Sequence, residues 1–437
     1  MTVPMRFLFT LWEGGGNVTP TLEVVRKLVA RDHRVRFMSD ACNRAEAEAV
    51  GAAFVAWNRA PSRLDRKRES QGFRDWAEAT PQDGLLSVLR DVWCGPSLAY
   101  ARDVIDELRR EPADLVISSE CLFGAMAGCE SVGQRFVTLG PNISLAPLPG
   151  VPPLGPGLPP ARTDDERTLH AEIAKGTREM FDAGLPALNA TRAALGLGPL
   201  AHLTDQYQAA ERELLATSAA FDFPADPLPS RVRYVGPQIA DPAWARPWTS
   251  PWAVSDERPL VVVAFSTTFQ NHAGVVQNVI DALATLPARV LVTLGGSLEP
   301  DEVHARANSV VVESAPHTIV MREAALLVTH GGHGTVMRGL VSRVPMLIIP
   351  HGRDQNDNAV RVTERGAGLS LAPDASVDAI RGACDRLLRE PHFRAAAKHL
   401  GDLVAADAEA STVVGELEAS CEAEPRREVP PFQSHGA

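Results

Sequence analysis

The sequence predicts two α/β domains, each a parallel sheet covered by helices. Three observations point there. Short apolar, β-rich runs alternate with amphipathic stretches; the pattern occurs twice along the chain; and glycine- or hydroxyl-rich segments follow several of the runs directly. Continuous rather than alternating apolar runs mark strands buried on both faces, as parallel strands are when crossover helices cover their sheet. With 437 residues the chain has length for two or three domains.

In the first half, strands are expected at Arg6–Trp12, Arg34–Asp40, Ala52–Trp57, Ala113–Ser119 and Arg135–Gly140, with helices such as Thr21–Arg31, Ala99–Arg110 and Leu122–Val132 between them. Pro141–Pro160 holds eight prolines and three glycines. Fixed φ angles and missing donors at that density leave no regular element. The stretch is either a solvated connector or a loop over a binding cleft. Asp164–Gly196 has a helical pattern. Phe223–Pro259 is again irregular and proline-rich, with Tyr234, Trp244, Trp248 and Trp252, and the domain boundary is expected near Pro229–Pro237. The second half repeats the strand pattern at Leu260–Ser266, Val290–Gly295, Val310–Glu313, Ala325–His330 and Pro345–Pro350. The resulting organisation is an N-terminal domain over 1–230, a linker over 231–259, a C-terminal domain over 260–420 and a disordered tail over 421–437.

Hydrophobic residues at 45% and charged residues at 22% describe a folded chain rather than a disordered one. A net charge of −11 without a basic cluster argues against nucleic acid as a partner. Six scattered cysteines with no C-x-x-C pair point to free thiols in a reducing compartment. The first residues are expected to form a strand rather than a signal peptide. No apolar run approaches the roughly 20 residues of a membrane span. A cytoplasmic monomer or homodimer is the expectation.

Ligands of open parallel sheets bind beyond the carboxyl ends of the strands, so the strand-to-helix loops carry the chemistry. After the first strand comes Trp12-Glu13-Gly14-Gly15-Gly16-Asn17-Val18-Thr19-Pro20, where glycines let a ligand approach the backbone. This is not a G-x-G-x-x-G fingerprint. His330-Gly331-Gly332-His333-Gly334-Thr335 ends an apolar strand and opens a helix. Helix N–H groups, a hydroxyl and imidazoles can together cradle a diphosphate. Asp354 and Gln355, side by side in Pro350–Asn358, can serve several sugar hydroxyls. Ser266 and Thr267 add hydroxyls towards the same edge.

These residues resemble those of the GT-B nucleotide-sugar glycosyltransferases, in the bacterial branch that decorates antibiotics and other natural products. The resemblance runs from Gly16–Leu22 through Ala30–Val35 and Tyr234-Val235-Gly236-Pro237 to Thr329–Thr335 and Gly352-Arg353-Asp354-Gln355-Asn356. It implies two Rossmann-like domains facing across a cleft. It further implies an acceptor on the N-terminal domain, and a uridine or thymidine diphosphate sugar on the C-terminal one as co-substrate. It implies no cofactor and no metal. His330, Gly332, Gly334 and Thr335 would hold the diphosphate and Asp354 and Gln355 the sugar, while Ser266, Thr267, His317, Gly331, His333 and Arg338 complete the candidate donor-binding set.

Four departures accompany the match. Asn17 stands where relatives usually carry a histidine general base, and Ser119, with Glu120 beside it, where they carry its orienting aspartate. Ser314, in Ser314-Ala315-Pro316-His317, replaces an aromatic that often stacks on the base, and Arg338 a ribose-binding glutamate. An amide accepts no proton near neutral pH. Three readings follow: an acceptor that is already nucleophilic and merely oriented by Asn17, a base supplied by Glu13 or Glu120, or a non-catalytic partner protein. A nucleotide-sugar epimerase, which requires acidic residues on both sides of the sugar, is a further alternative.

Overall fold

A computed structural model describes residues 3–422. The expected pattern of two parallel sheets is present. The N-terminal sheet has seven strands in the order β3-β2-β1-β4-β5-β6-β7. They are β1 (Arg6–Thr10), β2 (Arg34–Ser39), β3 (Ala53–Ala56), β4 (Leu115–Ser119), β5 (Phe136–Gly140), β6 (Glu213–Leu215) and β7 (Val232–Tyr234). The C-terminal sheet has six, in the order β10-β9-β8-β11-β12-β13. These are β8 (Leu260–Ala264), β9 (Arg289–Thr293), β10 (Ser309–Val312), β11 (Ala324–Thr329), β12 (Met346–Ile348) and β13 (Gly368–Ser370). Central strands such as LVVVA in β8 are buried along their whole length, which is why their sequences are continuously apolar.

Each sheet order reverses once, between β1 and β4 in the first and between β8 and β11 in the second. Reversal separates the two adjoining loops and opens a crevice at the carboxyl edge. Of the four loops singled out for chemistry, those after β1, β8 and β11 flank the two switch points, and the fourth, Pro350–Asn358, follows the neighbouring strand β12. Glu120 follows β4, on the other side of the first switch point.

Domain limits differ from expectation at two places. β7 pairs with β6 in register Glu213↔Val232 to Leu215↔Tyr234, so residues assigned to the linker complete the N-terminal sheet. The last helix, Val413–Glu422, packs Val413 and Leu417 into the N-terminal core with Phe7, Phe9 and Val25. Arg135 donates to the Cys421 carbonyl at 3.0 Å, and Arg31 and His33 reach Glu418. Cys421 and Glu422, expected in a disordered tail, belong to this helix; the remainder of that tail lies outside the described residues. The six cysteines are all free, and no helix among the described residues is long and apolar enough to cross a membrane.

The proline-rich segment 141–160 is irregular as expected, but it is fastened rather than loose. Asp357, in the helix Gln355–Thr363, accepts from the backbone N–H of Gly155 at 2.7 Å and of Gly157 at 3.3 Å, and Asn356 donates to the Gly155 carbonyl.

Candidate active site

Gly15 marks how closely the two edges approach. Its φ is +78°, and a Cβ there would come within 2.7 Å of Thr267 Oγ1 and Thr268 Cγ2 in the opposite domain. Only glycine tolerates both the conformation and the contact.

Asn17 precedes the helix Val18–Val29 without capping it. Its Oδ1 accepts from the Gly14 N–H at 3.2 Å and its amide donates to the Trp12 carbonyl at 3.0 Å. Both ends of the amide are spent on the loop that carries it. Glu13 is buried, with Oε1 on the Gly15 N–H at 2.8 Å and Oε2 on Arg66 at 3.0 Å. Arg66 also binds Glu46 and Asn43, so this carboxylate belongs to a structural ion network.

Glu120 differs. It follows β4, and its backbone carbonyl accepts from the Tyr207 hydroxyl at 2.8 Å. Its carboxylate accepts no hydrogen bond from the described residues and lies where a Cβ of residue 140 would sit. Solvent still reaches the side chain within the cleft. Desolvation, with the Asp354 and Glu213 carboxylates nearby, pushes its carboxyl up to about 8.

On the C-terminal side, Gly331 has φ +95° and turns the chain from β11 into the helix His333–Val341. His330 packs over Gly332, hydrogen-bonds the Ala264 carbonyl and stacks on Phe265 at 6.1 Å. Burial, with His272, His351 and Arg353 nearby, holds it well below the ordinary imidazole range, so its ring is neutral. Thr335 and Gly334 lie in the first helical turn, where the Thr335 N–H donates to the Gly332 carbonyl at 3.0 Å and the N–H groups ahead of it lack intrahelical partners. This part of the expected cradle comes together.

Two of its expected members point elsewhere. His333 crosses to the other domain, with Nε2 2.7 Å from Thr217 Oγ1 and the ring hydrogen-bonded to the Pro141 carbonyl. Its burial lowers the imidazole to about 3. Gln355 is buried, accepting from the His351 N–H at 2.6 Å and donating to Gln270 at 2.9 Å. Asp354 faces the cleft, hydrogen-bonded to Asn358 at 2.6 Å and to Asn142, and burial raises its carboxyl. Ser266 is buried and accepts from Gln270 at 2.9 Å, while Thr267 is exposed on the cleft. His317 bonds Thr293 at 3.0 Å with its imidazole lowered to about 4 by burial, and Arg338 donates to the Ala240 carbonyl at 2.6 Å.

Nothing in the sequence assigns a role to Asn142, Thr217, Arg353 or Asp357. Arg353 bridges the cleft, binding Asp75 at 2.8 Å and Thr268 at 2.7 Å. A φ of +56° outside glycine is its distinguishing feature, and no residue-type pattern announces that.

Two parallel-sheet domains with their switch points opposed across a cleft define the GT-B glycosyltransferase architecture. The comparisons agree. Residues 277–420 match the family described as erythromycin biosynthesis protein CIII-like, C-terminal domain. The 4'-demethylrebeccamycin synthase of Lentzea aerocolonigenes is 29% identical over 413 residues, covering 92% of this chain and 96% of its own. The calicheamicin glycosyltransferase CalG4 superposes with a TM-score of 0.73 at 20% identity, covering 96% of this chain and 99% of its own. The glycosyltransferase VinC, solved in complex with dTDP, gives 0.64 at 22% identity, covering 96% and 100%. The likeness to natural-product glycosyltransferases carried by the motifs thus extends across the chain, and the fold is theirs.

Proposed function

We propose that this chain transfers a sugar from a nucleoside-diphosphate donor to a small natural-product acceptor. The observation that carries the reading is the cradle of His330, Gly332, Gly334 and Thr335 at the switch point of the C-terminal sheet, beside the loop after β8 whose Thr267 and Thr268 meet the glycine loop after β1 at contact distance. Relatives named as a 4'-demethylrebeccamycin synthase and a demethyllactenocin mycarosyltransferase support the transferase class. The thymidine diphosphate complexes of two structural neighbours, and a relative named as UDP-glycosyltransferase 2, support a thymidine or uridine diphosphate donor.

In this reading the acceptor attacks the anomeric carbon from the N-terminal side, with inversion. The new bond to carbon forms as the bond to the β-phosphate oxygen breaks, and that oxygen keeps the electron pair. The Thr335 hydroxyl and the free N–H groups of the helix N-terminus meet the developing charge without a metal, beside the neutral His330 ring. Asp354 orients the sugar. The acceptor proton passes to Glu120, the one carboxyl among the three N-terminal candidates that nothing else engages. Asn17 builds the loop.

Incubation with a panel of nucleotide sugars and acceptors, read by mass spectrometry, tests the reading. Donor binding without transfer to any acceptor, together with stimulation of a partner transferase, would instead establish the non-catalytic reading. The Asp354 carboxylate, close enough to Glu120 to raise it, favours one second reading, an epimerase. That reading requires an epimerised sugar from donor alone, with no acceptor present.

A further inference from the structure

A cavity of about 410 Å³ opens at the carboxyl edge of β9 and β10, on the same edge as the diphosphate loop. Its lining combines Trp248 and Pro247 of the interdomain linker, the aliphatic Leu294 and Pro300, and the polar Glu313 and Ser314. The loop after β10 contributes no ring of its own, since Ser314 and Ala315 follow Glu313 there.

The linker is fixed over the cavity by a series of contacts to the C-terminal domain. Ala240 accepts from Arg338, Asp241 accepts from the Thr318 N–H at 3.1 Å, and the Arg246 N–H donates to Ser314 Oγ at 3.1 Å. Arg246 also pairs with Glu313. Trp248 is backed by Trp252, with ring centroids 6.2 Å apart. The result is a cavity whose lining offers one aromatic ring, aliphatic side chains and hydrogen-bonding groups. Planar heterocycles with polar edges suit such a lining, because every base has a π-face to stack.

We infer that Trp248 of the linker is the stacking wall for the nucleobase of the donor, so that the base is held between the two domains' connecting segment and the C-terminal sheet edge. The inference rests on the reading that this chain binds a nucleoside-diphosphate sugar.

Calorimetric titration of the full chain with dTDP, UDP and inorganic pyrophosphate tests it. Trp248→Ala should weaken nucleotide binding about 5- to 100-fold, the range for loss of one base–aromatic stack, and leave pyrophosphate binding unchanged. Trp248→Leu, which fills the cavity without a π-face, should lose nucleotide affinity likewise, whereas Trp248→Phe should retain most of it. Trp244→Ala, outside the cavity, should be neutral. Nucleotide affinity within twofold of wild type in both Trp248→Ala and Trp248→Leu overturns the inference, as does equal loss for nucleotide and pyrophosphate. If wild type binds pyrophosphate but neither nucleotide, the inference fails with the donor reading itself.

Discussion

At the scale of single residues, the cleft distinguishes side chains that the sequence presents as equals. Glu120→Gln should lower kcat by 10²–10⁴-fold, the worth of a general base. In wild type the rate should climb as pH approaches about 8, where the Glu120 carboxyl ionises, and that limb should vanish in the variant. A silent Glu120→Gln would mean an acceptor that needs no base. Asn17→Ala removes two neutral hydrogen bonds from the glycine loop, so a denaturant melt should show a loss of about 1–2 kcal/mol. His330→Ala should weaken nucleotide binding, whereas His333→Ala should lower thermal stability and spare it, since His333 serves Thr217 and Pro141. The sequence displays His330 and His333 in one motif with nothing to separate them. Their different directions are set by partners such as Thr217, more than a hundred residues away in sequence. Gln355 is the same case: its neighbour Asp354 faces the ligand side, and its own amide closes on Gln270.

At the scale of elements, the helix Gln355–Thr363 does two tasks. Its first turn carries Asp354 to the cleft, and its body joins the domains through Arg361, which binds Asp222 at 2.7 Å with both side chains buried. Asp222 also accepts from Tyr234 at 2.8 Å. Asp222→Ala leaves a buried guanidinium uncompensated and should cost about 3–5 kcal/mol, measurable by chemical denaturation. Asp357→Ala should free segment 141–160 and raise the rate of proteolytic nicking there, a site otherwise protected by its hydrogen bonds to the helix. The long strands were legible because apolar runs like LVVVA leave little alternative. β6, β7 and β13 were not: each has three residues, and tertiary neighbours rather than propensity decide such short pairings. The proline density of 141–160 announced an irregular segment but not its anchorage, since Asp357 lies some two hundred residues on.

For the whole molecule, buried neutral histidines shape the response to acid. His272 and His333 are lowered to about 3 and His317 to about 4, chiefly by burial, from an ordinary value near 6.5. Between those values the unfolded chain binds protons that the folded chain refuses. The associated stability is therefore complete above pH 6.5 and is lost progressively as pH falls towards 3. Melting temperature should drop steadily across that window, and His272→Gln with His317→Gln should flatten the slope. The two-domain plan itself was plain from the repeat of strand patterns. The destination of the last helix was not, because an amphipathic face does not say which sheet it will cover.

That last helix has a mechanical consequence. The polypeptide passes between domains twice, and the two passages touch: Gln238 donates to Ser411 Oγ at 3.0 Å, Ser411 donates to the Val235 carbonyl at 2.7 Å, and Gly236 lies against the Asp407 carbonyl. Two tethers laid side by side act as the spine of a book. They resist twisting and sliding of one half over the other and leave rotation about their common line as the free motion. A hinge of that kind would let the covers part only about one line, so that Gly15 meets Thr267 in the same alignment whenever they close.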